Sequence, residues 1–273
     1  MALGHYSDLT RKHYLQELRF LFQYYDEVRP SLISYEMTVH YLVYITKTLG
    51  CSRVKCKMAA QSFSFFFKHV LNKPYRTPAV LFPAHENKLP TVMSQEEMRS
   101  VLSSIKNHKH RMLLSLMYST GMRLSEMANL KISEVDSKQM RIRITSGKGK
   151  KDRYVPLSPL LLQELRCYFL AYRPEVYLFN GAGKGKKYAT RTIQHILQTA
   201  LAKAGLNHKN YTVHTIRHSF ATHLLDNGTD LQAIQQLMGH HQISQTVQYL
   251  HLSSKRLGKI VNPYDALMQN EAL

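Results

Sequence analysis

A proline-rich stretch between residues 74 and 90 is the feature that most constrains how this chain can fold. Its prolines are Pro74, Pro78, Pro83 and Pro90. Proline lacks the backbone N–H and fixes φ, so a continuous helix through this stretch is unfavourable. We interpret it as a linker with a boundary near residues 83–89, because a chain of 273 residues has room for two ordinary domains. The sequence therefore predicts domains at 1–85 and 86–273.

The first domain carries apolar side chains at helical spacing. The first such set is Leu15, Leu18, Phe22 and Tyr25. Steps of three and four residues place these side chains on one face of a helix. Two further helices are predicted from about residue 34 to Gly50 and from about Ser52 onward. The Phe63–Phe67 cluster is expected to lie in the core, and a contact between protomers stays open for its phenylalanines. No alternation typical of strands occurs before about residue 80.

The second domain mixes helical patterns with a short alternating pair. Ser94 and Glu97 form a capping box for a helix to about Lys106. Period-two alternation at 140–144 and 152–157 predicts two antiparallel strands, joined by a glycine-lysine hairpin at 146–151. The remaining helices are predicted at 108–120, 158–172, 190–204, 212–226, 231–238 and after Asn262. The fold class is therefore mostly α, in two domains, with a small antiparallel sheet in the second.

The charge balance of the chain indicates a polyanionic partner. It has 37 Lys+Arg and 18 Asp+Glu, a formal net charge of +19. Nucleic acid is the commonest ligand for such an excess, although a cationic surface that serves only solubility stays open. Its 3 cysteines form neither an even disulfide framework nor a metal spacing, which favours a reducing cytoplasm. We expect no membrane span and no signal peptide, because the chain lacks the apolar runs that either requires.

A group of polar residues in the last quarter suggests chemistry on a phosphodiester. His214 and Arg217 share one stretch, His240 follows Leu237-Met-Gly, and Tyr249 comes shortly afterwards. A tyrosine phenol can attack phosphorus, and arginine grips two phosphate oxygens with a permanently charged fork. A phenolate leaves more easily than an alkoxide, so a phosphotyrosine ester is a reversible intermediate. Such chemistry breaks and reseals DNA without ATP or metal.

Three blocks of this chain resemble the tyrosine recombinase (phage integrase) family, in particular its compact Xer-like and integron-like bacterial members. They are Ser119-Thr-Gly-Met-Arg123-Leu-Ser-Glu126-Met, Gly147-Lys148-Gly-Lys-Lys-Asp-Arg153, and the stretch from His214 to Tyr249. The match spans roughly residues 88–255, and the three blocks in this order are specific to the family. The helical first domain agrees with the SAM-like core-binding domain of the family by position and helicity only.

The resemblance assigns a role to each site residue. Arg123 and Arg217 would clamp the scissile phosphate, and Glu126 would brace the site. Lys148 would act as general acid to the 5′-oxygen, and His214 would assist proton transfer at Tyr249. His240 would hydrogen-bond the phosphate, and Tyr249 would be the nucleophile that forms a 3′-phosphotyrosyl intermediate. The resemblance implies no cofactor and no metal.

The resemblance also implies partners. These are double-stranded DNA with inverted half-sites and further copies of the chain, in a tetramer that exchanges its C-terminal helices on two DNA sites. Whether the reaction also requires a second recombinase or an accessory protein stays open. The outcome would be strand exchange through a Holliday junction, as integration, excision, inversion or resolution of DNA.

Several alternatives remain open from the sequence. Lys151 competes with Lys148, and His241 competes with His240. His214, His218 and His223 stand close enough on one helix to suggest zinc, but no carboxylate or cysteine is suitably spaced, so we interpret His218 and His223 as packing or capping residues. A type IB topoisomerase that relaxes DNA and a catalytically silent DNA-binding protein are the alternative functions.

Overall fold

The computed structural model describes residues 6–78, 82–84, 89–145, 152–181, 183 and 185–252. The chain divides into two compact units, Met1–Asn87 and Lys88–Leu273. The predicted lysine hairpin, with Lys148 and Lys151, and the predicted last helix after Asn262 lie outside the described residues.

The first unit contains the three predicted helices. They are α1 (Asp8–Tyr24), α2 (Tyr35–Val43), which continues as a π-helical turn at Tyr44–Thr48, and α3 (Arg53–His69). A serine caps each N-terminus, because the hydroxyls of Ser7, Ser34 and Ser52 each accept a hydrogen bond from a backbone N–H of the first turn. A 3₁₀ turn at Pro30–Leu32 joins α1 to α2.

Aromatic and aliphatic side chains form the core of the first unit. Phe63, Phe66 and Phe67 are buried there, as the sequence predicted for this cluster. Glu17 on α1 is also buried, and Lys55 Nζ on α3 lies 2.5 and 2.7 Å from its two carboxylate oxygens. A buried carboxylate is costly without a partner, so this ion pair helps to fix α1 against α3.

The helices of the second unit match the predictions closely. They are α4 (Gln95–Ser103), α5 (His108–Thr120), α6 (Leu124–Asn129), α7 (Pro159–Tyr172), α8 (Thr190–Lys203), α9 (Val213–Asp226), α10 (Leu231–Met238) and α11 (Ser244–Val247), with 3₁₀ turns at Ile132–Glu134, Asn207–Lys209 and Gln248–His251. The capping box of Ser94 and Glu97 is present. The short helices α6 and α11 were not predicted, because six and four residues are too few to show the apolar periodicity of a helix.

A small antiparallel sheet completes the second unit. Strand β1 (Val135–Asp136) pairs with β2 (Arg141–Ile144), which pairs with β3 (Arg153–Pro156). The strands β2 and β3 were predicted; the two-residue β1 was not. Along β3, Arg153 and Val155 face inward whereas Tyr154 and Pro156 face solvent. The alternation of side chains along β3 thus places an arginine, Arg153, on its buried face.

The described residues of the second unit include two groups of buried apolar side chains. The larger one lies among α4 to α9 and the sheet, and the smaller one joins α9, α10 and the turn that carries Tyr249. Members of the smaller group are Phe220, Ala221, Leu225, Ile234, Met238 and Tyr249. The candidate nucleophile is therefore part of a packed cluster.

Gly121 is a position where the fold requires glycine for two reasons. It ends α5 with φ +60°, and a Cβ at this position would lie 2.7 Å from Phe220 Cε1. Gly205 has φ +72°, but no heavy atom of the described residues lies within 4 Å of such a Cβ. We expect Gly121→Ala to lower the free energy of unfolding by about 2–5 kcal/mol, from left-handed strain plus overpacking.

Gly205→Ala is the matched control. We expect it to lower the free energy of unfolding by only about 1–2 kcal/mol, from left-handed strain alone. Urea unfolding followed by circular dichroism measures both. Equal losses in the two variants would show that contact with Phe220 contributes nothing.

Candidate active site

Glu126 lies at the centre of the charged residues of the second unit. Arg153 Nη1 and Nη2 donate to its two carboxylate oxygens at 2.9 and 2.8 Å. Arg123 donates from Nη1 at 2.9 Å and from its backbone N–H at 2.8 Å, because Arg123 is the N-cap residue of α6 and Glu126 belongs to the first turn. Burial by itself raises the pKa of a carboxyl group, but the hydrogen bonds and charge of Arg153 and then of Arg123 lower the pKa of Glu126 to about 2.

Three arginines bind three consecutive carbonyls at the end of α10. Arg153 Nε donates to Leu237 O at 2.7 Å, Arg217 Nη2 to Met238 O, and Arg123 Nη2 to Gly239 O at 3.0 Å. The last carbonyls of a helix have no partner within the helix and carry partial negative charge. The end of α10 therefore positions guanidinium groups that come from α6, β3 and α9.

Arg217 is the most enclosed of the three arginines that bind α10. It is 5% exposed and also donates from Nη1 to Gly121 O. Burial, followed by the charges of Arg123 and Arg153, lowers its pKa to about 9, and Glu126 opposes this shift. Arg217 is therefore still a cation at neutral pH. The Arg123 side chain is 25% exposed and leads from this cluster to solvent.

His240 joins the arginine cluster to Tyr249. Its Nε2 lies 3.2 Å from Arg217 Nη2 and its Nδ1 lies 2.9 Å from Thr246 Oγ1. Arginine only donates, so Nε2 accepts and Nδ1 carries the proton. Burial and the charges of Arg217 and Arg123 lower the pKa of His240 to about 4, in agreement with a neutral ring. That ring stacks on Tyr249 with an interplanar angle of 13°.

Tyr249 is 1% exposed, and its hydroxyl lies 3.0 Å from His218 Nδ1. Burial raises the pKa of the phenol, whereas the positive charges of Arg217 and Arg123 act in the opposite direction. Burial, followed by the charges of His214 and Arg217, lowers the pKa of His218 to about 4. The site thus combines a neutral phenol with two neutral imidazoles beside permanent cations.

The structure brings together most of the predicted site residues and gives two histidines positions that the sequence did not indicate. Arg123, Glu126, Arg217, His240 and Tyr249 converge, as the hydrogen bonds and mutual pKa effects above show. His214 is exposed on the first turn of α9, and the imidazole at the Tyr249 hydroxyl belongs to His218 instead. His218 therefore contacts the candidate nucleophile, which the sequence did not indicate.

The other histidine interpreted as packing or capping, His223, pairs its Nδ1 with the hydroxyl of Tyr118 at 2.8 Å. His240 rather than His241 contacts Arg217, and His241 is exposed. Helical spacing places His214 and His218 on one face of α9, which was the one sequence signal for His218.

Arg153 is a site residue that the sequence did not single out. Its side chain is 8% exposed, and it bonds both Glu126 and the end of α10. The signal was the strand period, which places Arg153 on the same inward face as Val155. An arginine on the buried face of a strand needs a counter-charge, and Glu126 supplies it.

Within the described residues, no three His, Cys, Asp or Glu side chains lie close enough to hold a metal ion. In the same part of the chain, no helix combines the length and the apolar character needed to cross a bilayer.

Comparison with known proteins gives a consistent family. Residues 91–256 match the phage integrase family, and residues 1–77 match the phage integrase N-terminal SAM-like domain. A putative integrase/recombinase y4qK of Sinorhizobium fredii is 32% identical over 268 residues, which cover 98% of this chain and 86% of the relative. Tyrosine recombinase XerD of Staphylococcus aureus is 35% identical over 216 residues, or 73% of this chain and 72% of XerD.

Solved structures agree with these matches. The crystal structure of XerA recombinase is 28% identical with a TM-score of 0.57, covering 93% of this chain and 91% of XerA. XerH recombinase bound to a palindromic difH substrate is similar in fold, with a TM-score of 0.75 at 24% identity over 92% of this chain and 78% of XerH.

Glu126→Gln keeps the shape of the side chain but removes the charge that pairs with Arg153 and Arg123. We expect a loss of about 3–5 kcal/mol in the free energy of unfolding at neutral pH, because the substitution leaves buried guanidinium groups without their counter-charge. The folded-state pKa of Glu126 is lowered from 4.5 to about 2, so this stabilisation is full above about pH 4.5 and is lost as the pH falls through about 2.

Urea unfolding at a series of pH values measures the difference between wild type and Glu126→Gln, which should shrink as the solution becomes acidic. Glu164→Gln, on the exposed face of α7, is the control and should change the free energy by less than about 0.5 kcal/mol. A difference that stays constant down to about pH 2 would contradict the assignment.

Proposed function

The chain belongs to the phage integrase family, and we propose that its site breaks and rejoins DNA with Tyr249 as the nucleophile. The chain is a tyrosine recombinase, an enzyme that exchanges DNA strands at specific sites. Its relatives are recombinases and integrases, which favours strand exchange over simple relaxation of supercoils. The observation that carries the proposal is the position of the Tyr249 phenol, against His240 and within the field of Arg217 and Arg123.

The arginines are the proposed phosphate clamp. Attack on a phosphodiester gathers negative charge on the non-bridging oxygens, and fixed cations aimed at those oxygens stabilise the transition state. Arg217 and Arg123 are held before DNA arrives, by carbonyls and by Glu126. Their orientation therefore costs little at the moment of reaction. Because part of the Arg123 side chain is exposed, a phosphate of the DNA can reach it from solvent.

The proposed reaction transfers a phosphate to tyrosine and back. Tyr249 Oη attacks phosphorus, the bond to the 5′-oxygen breaks, and a 3′-phosphotyrosyl intermediate and a free 5′-hydroxyl result. Lys148 is the proposed general acid for the 5′-oxygen, and its side chain lies outside the described residues. His240 is proposed to hydrogen-bond the phosphate, and the exposed His214 completes the proposed set. Attack by a 5′-hydroxyl of another strand reverses the step and passes through a Holliday junction.

Partners follow from the same proposal. We propose double-stranded DNA with inverted half-sites as substrate, because XerH is solved on a palindromic substrate and a palindrome consists of inverted half-sites. The net charge of +19 supplies the attraction to the phosphate backbone. Residues 1–85 are the proposed DNA clamp, residues 86–273 the catalytic domain, and four chains the proposed assembly. With DNA as its substrate, the enzyme would act in the cytoplasm.

Tyr249→Phe is the direct test of the nucleophile. Nicked suicide duplexes, cut from the DNA that flanks the gene, are incubated with each protein in EDTA. We expect wild type to form an adduct that resists denaturant and carries a 3′ linkage, because the nick lets the cleaved end diffuse away. Tyr249→Phe lacks the attacking oxygen and should form none.

Tyr211→Phe is the matched control, since Tyr211 is also buried but donates its hydroxyl hydrogen bond to Glu97. It should form the adduct at the wild-type level. An adduct that persists in Tyr249→Phe would overturn the assignment of the nucleophile.

The segment after Asn262 tests the proposed assembly. We propose that the helix predicted there docks on a neighbouring protomer. Truncation after Asn262 should leave binding to one half-site within about twofold but reduce assembly on a full site, because it removes an inter-protomer contact. Gel-shift titration and a recombination assay measure the two effects, and truncation after Asn270 is the control. Normal assembly and recombination after the longer truncation would refute the docking role.

A further inference from the structure

The hydroxyl of Tyr249 has a histidine partner whose role the sequence did not indicate. His218 Nδ1 lies 3.0 Å from Tyr249 Oη, and the ring centroids are 5.8 Å apart. The tyrosine side chain is almost completely enclosed. A hydroxyl in such surroundings exchanges its proton with a group that already touches it, because bulk water has little access.

The direction of this hydrogen bond follows from the chemistry of the two groups. A phenol is a stronger donor than a neutral imidazole, and an imidazole nitrogen is a stronger acceptor than a phenol oxygen. His218 is neutral at pH 7, because burial and the charges of His214 and Arg217 lower its pKa. Tyr249 therefore donates its O–H, and His218 Nδ1 accepts.

Resting on the proposed role of Tyr249, we propose that His218 is the catalytic residue that accepts the proton of the nucleophile. As Tyr249 Oη bonds to phosphorus, its proton passes to His218 Nδ1, and the bond from phosphorus to the 5′-oxygen breaks. The departing 5′-oxygen takes a proton from the general acid of the site. When a 5′-hydroxyl attacks the phosphotyrosine, Oη leaves and His218 returns the proton to it.

Charged groups around His218 couple this proton transfer to bound DNA. His214 and Arg217 on α9 disfavour an imidazolium at His218, and a charge at His218 in turn lowers the pKa of His240. A phosphate bound by Arg217 brings a negative charge that offsets these cations. The pKa of His218 then rises above its value in the free protein, so the acceptor becomes effective when the substrate is in place.

His214, to which the sequence assigned this task, is placed differently. It is exposed on the first turn of α9, and none of its hydrogen bonds within the described residues reaches Tyr249. The His218 contact is held by two elements that pack together, α9 and the turn Gln248–His251. The exposed His214 is thus placed where it can face DNA, whereas His218 is placed where it can accept the proton of Tyr249.

The suicide-substrate assay, run as a time course, measures the contribution of His218. We expect His218→Ala to lower the rate of adduct formation by about 10²- to 10⁴-fold, the range for loss of a general base. DNA affinity should stay within about twofold, since His218 is proposed to act on a proton. His223→Ala is the matched control, because its Nδ1 also pairs with a tyrosine hydroxyl from α9, that of Tyr118. It should keep the wild-type rate.

A fluorinated tyrosine at position 249 separates proton acceptance from packing. Fluorine makes the phenol more acidic, so more of it is phenolate and needs no acceptor. In His218→Ala we expect this tyrosine to restore the rate by about tenfold or more, with a much smaller effect in wild type. His218→Asn keeps an acceptor oxygen near the place of Nδ1 but is no base, and we expect it to be as slow as His218→Ala.

Three outcomes overturn the proposal: a normal rate in His218→Ala, a normal rate in His218→Asn, or no recovery with the fluorinated tyrosine. The last would reduce His218 to a structural contact. Failure of the proposed function is distinguishable, because Tyr249→Phe would then still form the adduct. If only the role of His218 is wrong, Tyr249→Phe stays inactive, while His218→Ala is either active or slow without recovery by the fluorinated tyrosine.

Discussion

The Glu126 carboxylate holds the guanidinium groups of Arg123 and Arg153 in a part of the second unit where Arg217 adds a third cation. Burial and then the repulsion between like charges at such close range lower the pKa of Arg217 to about 9. One carboxylate does not neutralise three arginines. The three carbonyls at the end of α10 supply the rest of the compensation, as the negative end of a helix dipole. The arrangement is stable because every arginine has partners, yet its net charge is positive.

An excess of fixed positive charge is what a phosphate-transferring site needs. Partners that orient the arginines in the free protein leave less reorganisation for the reaction itself. A phosphate bound there would supply the negative charge that the cluster lacks. Substrate binding would therefore reduce the repulsion among the arginines. Burial, followed by the nearby cations, lowers the pKa of His240 and of His218, so both rings are neutral in the free protein. Both imidazoles can therefore act as acceptors at neutral pH.

Tyr249 belongs to a small apolar cluster with Phe220 and Met238, separate from the main core. Packing fixes its ring against His240, and the hydroxyl projects toward His218. Gly121 links this cluster to the arginines, since its carbonyl accepts from Arg217 and its missing side chain leaves room for Phe220. The proposed nucleophile and the proposed phosphate clamp are thus positioned by the same few contacts, so a change in packing at one is transmitted to the other.

The sequence by itself determined the helices, their caps and the identity of most candidate site residues. Local rules suffice for these features: Ser94 and Glu97 satisfy each other within one turn, and Gly121 ends α5 because a left-handed residue is needed there. Resemblance to a family then selected Arg123, Arg217, His240 and Tyr249 from many similar side chains. Only the tertiary structure decided which histidine meets Tyr249 and what Arg153 does. His218 and Tyr249 lie on different elements, and Arg153 reaches Glu126 from a strand to a helix. Contacts between different elements depend on how those elements pack, and the spacing of residues along the chain does not determine them.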